Sequence, residues 1–251
     1  MDFINLENSG WNFVKKRDLI VNLNRLSEDK TWTNSMYLTH RSLTVPTCID
    51  AIEEQTGFEI KHIVGKAKTI QSGLVLLWGS KRLILIAPPF PVLEDSSYDS
   101  FCLTQLYELL NKGIIVGTIL LRLGNYAVGV FGGEKLLVSK VGSRYVKNRH
   151  KAGGSSQRRF ERSRERLKNE LFEKVCQVAG NLFSAFDNRM GYILLGGDQY
   201  VLQQFCRRCK LISTKKSILL QRRLNVLRPG LSTLENIKND VWSSNVLVIG
   251  R

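Results

Sequence analysis

No stretch of this chain approaches the ~20 consecutive apolar residues that a membrane-spanning helix requires, so no membrane role is expected. Histidine is scarce: His40, His62 and His150 stand far apart and form no metal-ligand spacing. Cysteine is odd in number and scattered, at Cys48, Cys102, Cys176, Cys206 and Cys209. That pattern argues against a disulfide framework and predicts buried free thiols in a reducing cytoplasm. Cys206 and Cys209 form a lone CxxC with no second pair, so they read as helical residues near a core, and neither metal nor cofactor is expected. Residues 1–16 (MDFINLENSGWNFVKK) lack a basic start followed by an apolar run, which argues against secretion and for a cytoplasmic protein.

Negative charge is also in short supply. The 251 residues carry 37 Lys/Arg against 22 Asp/Glu, a net charge of +15, within an otherwise ordinary globular mix of 43% hydrophobic and 24% charged residues. Such a balance favours polyanionic partners, nucleic acid above all. The excess is concentrated: Lys140–Glu170 holds 11 Lys/Arg and 3 Asp/Glu, a net +8.

Hydrophobic periodicity divides the chain into a smaller α+β region at 1–95 and an α/β region at 96–251. In the first, Trp11–Leu26 is predicted as an amphipathic helix burying Phe13, Leu19, Leu23 and Leu26. MYLTHRSL reads as a strand, and PTCIDAIEEQTG as a helix from Pro46 to Gly57. GLVLLWGSKRLILIA reads as a hairpin. Residues 88–99 hold three prolines and are expected to be a linker, with Asp99 or Ser100 capping the next helix. In the second region, IIVGTILLRLG, YAVGVFGG and KLLVSKVG predict an antiparallel meander. A long helix at roughly 157–184 follows, then YILLGGD as a strand ending at a helix capped by Asp198, and SILLQRRL as a strand. A helix with a Ser232–Glu235 capping box and the strand NVLVIG close the chain. A meander followed by alternating helices and strands is the order of a ribonuclease-H-like α/β layer. A two-metal nuclease on such a layer needs converging carboxylates, and the meander offers only Glu134.

The stretch RYVKNRHKAGGSSQRRFERSRERLK, from Arg144, is the chemically loaded one. On its helix, Phe160, Leu167, Leu171, Val175, Val178 and Leu182 project to one side, while Arg158, Arg159, Arg162 and Arg166 fall roughly opposite. The preceding loop carries Lys147, Arg149, His150 and Lys151 and ends at a helix N-terminus, which favours anions. His150 can touch RNA or simply be solvated. Arg144 and the other cations of loop and helix are the predicted RNA contacts, to phosphates that position without specifying sequence. Gly153 and Gly154 let backbone approach a partner closely.

The arrangement GGSSQRRFER resembles the GGQ loop and basic helix in the central domain of eukaryotic and archaeal class-one release factors. KVGSRYVKNRHKAGGSSQRRFERSRE, LLGGD, the APPFPV segment and WSSNVLVI resemble the bacterial members of the Vms-like release factor (VLRF) family, over about 70–251. The resemblance implies a ribonuclease-H-like release-factor domain that enters the peptidyl-transferase centre of the large ribosomal subunit. There it would act as a monomer on peptidyl-tRNA, hydrolysing its ester without reading codons, since no region resembles a decoding domain. The implied catalytic loop is Gly153, Gly154, Ser155, Ser156 and Gln157. A glutamine amide is a poor base but can hold water or ribose by its acceptor and two donors. One departure stands out. In the release factors the glutamine follows the glycines directly, whereas here Ser155 and Ser156 intervene. Either the loop bulges to present Gln157, or water is positioned differently. The rival expectations are a non-catalytic tRNA- or rRNA-binding factor and a metal-free nuclease cutting the tRNA CCA end.

Overall fold

Two sheets, each covered by helices, divide the chain, which a computed structural model describes over residues 3–7, 9–64, 71–144 and 155–250. The first elements are β1 (Asn12–Val14), α1 (Lys16–Glu28), β2 (Trp32–Leu38), α2 (Pro46–Thr56), α3 (Lys61–Val64), β3 (Leu74–Gly79), β4 (Arg82–Ala87), β5 (Ser96–Tyr98) and α4 (Thr104–Asn111). There follow β6 (Ile115–Arg122), β7 (Asn125–Gly132), β8 (Lys135–Ser143), α5 (Ser155–Ser184), β9 (Met190–Gly197), α6 (Gln199–Arg208), α7 (Lys210–Thr214), β10 (Leu219–Leu224), α8 (Leu231–Val241) and β11 (Ser244–Gly250). One unit comprises Met1–Lys112 with Asn239–Arg251, the other Gly113–Lys238.

In the first unit the strands run β1-β11-β4-β3-β2-β5, all neighbours antiparallel. The expected β3–β4 hairpin is its centre, and its unbroken apolar runs have a simple cause. Side chains alternate between faces, and both faces are covered. Val75, Leu77, Ile84 and Ile86 pack with Leu19 and Leu23 of α1 and Leu106 and Leu110 of α4. Leu74, Leu76, Leu83 and Leu85 pack oppositely, with Ile49 and Ile52 of α2 and Ile60. The helix from Pro46 to its Gly57 cap is as expected.

Four expectations for this unit are corrected. Trp11–Leu26 is not one helix: Asn12–Val14 pairs with β11, leaving Phe13 51% exposed, although Leu19 and Leu23 are buried as predicted. The strand of MYLTHRSL begins earlier, at Trp32, and ends at Leu38. Residues 88–99 are packed rather than a linker, since Phe90 and Val92 are buried and β5 pairs with β2. Neither Asp99 nor Ser100 caps α4, which starts at Thr104 behind Leu103. The division between units follows α4 rather than falling at residue 95, and β11 returns to the first sheet by pairing with β4.

The second unit has the strand order β10-β9-β6-β7-β8. The antiparallel meander β6-β7-β8 is extended by β9, parallel to β6, and β10, parallel to β9, so the meander is followed by alternating helices and strands as expected. On one face, Ile119, Val128 and Ile193 meet Leu171, Phe172, Val175 and Phe183 of α5 and Leu202 and Phe205 of α6. Phe183 lies so close to the sheet that a side-chain carbon on Gly117 would stand 2.7 Å from its ring. Asp198 caps α6, accepting from the Val201 amide at 2.9 Å. Gly197 before it adopts φ +122°, and a Cβ there would stand 2.1 Å from the Leu121 carbonyl, so the strand-to-helix turn demands glycine. The Ser232 capping box does not cap, because α8 already begins at Leu231.

The expectation of free thiols throughout is also corrected. Cys176 of α5 is bonded to Cys209 beyond α6, while Cys48, Cys102 and Cys206 are free. Burial pushes the free Cys206 thiol up. The bond closes a loop across a sequence separation of 33. Its loss, by reductant or by Cys176→Ser, should therefore lower stability by about 3–4 kcal/mol in the chain-entropy account. Urea denaturation with and without reductant measures this, and an unchanged midpoint would contradict it.

Candidate nucleic-acid interface

The strand register brings the important loops to one end of the second sheet. Ser143 pairs with Asn125, Asn125 with Arg122, Leu121 with Gly197, and Gly196 with Leu224. The basic segment after Arg144, the start of α6 and the 225–230 loop all leave from that row. Lys147, Arg149, His150, Lys151, Gly153 and Gly154 lie outside the described residues.

The segment's two ends are tied together. The Arg144 amide donates to the Gly124 carbonyl at 2.8 Å, and its guanidinium donates to Glu170 of α5 at 2.5 Å. Arg166 approaches the same carboxylate at 3.8 Å. Of the predicted RNA contacts, Arg144 and Arg166 are thus partnered with Glu170, while Arg158, Arg159 and Arg162 stand exposed on the first turns of α5. Phe160 departs from the expected buried stripe, being 49% exposed; continuous burial on α5 starts further on, at Leu171 and Phe172. The first turns extend past the layer that packs on the sheet. Lys168 is not a solvent cation: it is buried, donating to Glu165 and to Gln204 of α6 at 2.5 Å each.

Ser155 and Ser156 begin the helix, and Gln157 lies in its first turn. The Gln157 side chain is exposed, and its Nε2 donates to Glu161 Oε1 at 3.2 Å. This is an i,i+4 pair that the spacing alone could have revealed. In this conformation the amide keeps its carbonyl oxygen and one N–H for another partner. Among the described residues, no group of three or more His, Cys, Asp or Glu could hold a metal ion.

The model of the Actinobacteria/chloroflexi VLRF1 release factor matches residues 115–247. The chain belongs to that family. The peptide chain release factor subunit 1 of Archaeoglobus fulgidus is 33% identical over 140 residues, covering 54% of this chain and 34% of that protein. Its counterpart in Aeropyrum pernix is 24% identical over 220 residues, covering 84% and 59%. The chain therefore spans between a third and three fifths of the length of these curated relatives. The crystal structure of the archaeal translation termination factor aRF1 aligns with 20% identity and a TM-score of 0.41, over 91% of this chain and 73% of that one. Family membership agrees with the resemblance read from GGSSQRRFER, and the match includes the basic segment, α5 and LLGGD. Among the described residues no helix is long and apolar enough to cross a membrane.

The units differ sharply in charge. Gly113–Lys238 carries 24 Lys/Arg against 8 Asp/Glu, a net +16, leaving 13 against 14, a net −1, for the other unit. Attention to residues 140–170 alone missed a second concentration, between Gln199 and Leu234, with eight Lys/Arg and no acidic residue. A simple count along the chain would have found it. Alanine at Arg158, Arg159 or Arg162 is expected to weaken RNA binding evenly across sequences, each lowering the slope of log affinity against log salt by about one. Anisotropy titrations at several salt concentrations measure this, and slopes equal to wild type would remove these arginines from the interface.

Proposed function

We propose that this protein is a codon-independent peptidyl-tRNA hydrolase that frees nascent chains from obstructed large ribosomal subunits. The observation that carries the reading is the projecting start of α5, where Gln157 and three exposed arginines follow Gly153-Gly154 after two serines. Membership of the VLRF1 release factor family supports it, as do relatives named peptide chain release factors. In the reaction, water adds to the ester carbonyl, the acyl–oxygen bond breaks, and peptide acid and intact tRNA depart. Gln157 is assigned the holding of that water or of the terminal ribose, and a backbone N–H of the loop the steadying of the oxyanion. The arginines and Lys147, Arg149, His150 and Lys151 are assigned to rRNA and tRNA phosphates near the peptidyl-transferase centre. The protein acts as a monomer in the cytoplasm on this reading.

A second reading has its own support. Gln157 is held within a helix by Glu161, the arrangement of a basic RNA-binding helix with no chemistry. Large subunits carrying labelled peptidyl-tRNA separate the two. Gln157→Ala should lower release about 100-fold while RNA affinity is kept, the scale of a lost positioning contact. Glu161→Ala, which removes the competing partner, should not slow release. Binding that persists in wild type without any released peptide would establish the binding factor instead. Shortened tRNA would point to the nuclease.

A further inference from the structure

Gly197 and Leu224 end adjacent parallel strands, so the start of α6 and the 225–230 loop emerge side by side. Both loops are stapled by arginines. Arg223 Nη1 donates to the Gly197 carbonyl at 2.7 Å, and Arg122 Nε donates to the Val226 carbonyl at 2.9 Å. Thr233 Oγ1 donates to the Arg228 carbonyl at 2.6 Å, holding the far end of the second loop. A guanidinium has five N–H donors, so Arg223, which is exposed, retains donors beyond the one bonded to Gly197. Arg228 is exposed as well.

On this ordered, cationic end stand two large side chains that burial has not claimed: Tyr200 is 67% and Leu227 76% exposed. Asp198, the carboxylate nearest in sequence, is engaged by the Val201 amide. Arginines on the same sheet end as an exposed aromatic ring suit a nucleotide whose base is free to stack, which a base inside a duplex is not. We propose that this end of the second unit binds unpaired RNA nucleotides, a base stacking on Tyr200 and backbone phosphates meeting Arg223 and Arg228. The choice of RNA as the polymer rests on the function proposed above. The site itself is separate from Gln157 and the α5 arginines, and shares with them only the sheet end from which their segment departs.

The test uses the full chain and a fluorescein-labelled RNA dodecamer of mixed sequence, single-stranded and as a duplex. Tyr200→Ala should weaken single-strand binding about tenfold, leave the duplex unchanged, and be matched by no loss in Tyr200→Phe. Arg228→Ala should lower the salt slope by about one. Equal single-strand binding by wild type and Tyr200→Ala overturns the site; peptide release continuing in that protein would leave the proposed function standing. Selective loss in Tyr200→Ala supports the site, even in a protein that releases no peptide, where hydrolysis alone would fall. Displacement of the RNA by polyglutamate at equal charge concentration would overturn the site too, because it would mark a purely electrostatic surface.

Discussion

The parallel pairing of β9 with β6 is the constraint from which the second unit follows. β6 is flanked by β7 on one side and β9 on the other, so its register has no freedom. A strand that must run parallel to β6 after an antiparallel meander needs a connection returning along the sheet. The 30-residue α5 supplies it. That helix is about 45 Å long, whereas an eight-residue strand such as β6 spans about 27 Å. The surplus has to go somewhere, and residues 157–162 are all exposed at its start. A helix laid down to close the sheet thus also carries a cationic end away from it.

Charge is segregated along with structure. With one unit at net +16 and the other at −1, the attraction to a polyanion is concentrated on one half of the chain. The few carboxylates on α5 are placed to organise the cations rather than cancel them. Glu170 draws Arg144 and Arg166 together, and Glu165 meets both Lys168 and Arg208. These contacts fix the ends of the basic segment while leaving Arg158, Arg159 and Arg162 exposed.

The meander, the β3–β4 hairpin, α2 with its terminal glycine and the Asp198 cap were legible because their signals are local: apolar runs, turns and capping residues within a few positions. What was not legible depends on distant partners. Trp11–Val14 has a helical period, yet Asn12–Val14 pairs with β11 from the far end of the chain. Three prolines between 88 and 99 suggested a linker, but Phe90 packs edge-to-face on Trp242, more than 150 residues on. The Cys176–Cys209 bond was hidden by an odd cysteine count that said nothing about pairs. At the site, Arg158, Arg159, Arg162 and Arg166 are exposed, as their side of the helix led one to expect. Phe160 is not buried as expected, because periodicity gives the side of a helix and not how far along it the packing extends.

The two serines remain the most informative departure from the release-factor pattern, and their effect is geometric. In a helix, two residues turn a side chain by about 200° and advance it about 3 Å. Gln157 is therefore turned about 200° around the axis from the first residue of α5 while that turn is helical. Reaching a substrate from the loop side requires unwinding the first turn. Three backbone hydrogen bonds accepted by residues 155–157 are then lost, each about 0.5–1.5 kcal/mol net. The Gln157–Glu161 pair adds about 0.2–0.5 kcal/mol. A cost of a few kcal/mol is within what binding to an RNA surface can offset, provided the unwound form makes contacts that the helical form does not. The helical position of Gln157 and a catalytic role for it are compatible under that condition, with Glu161 as the group that holds the amide until the partner displaces it.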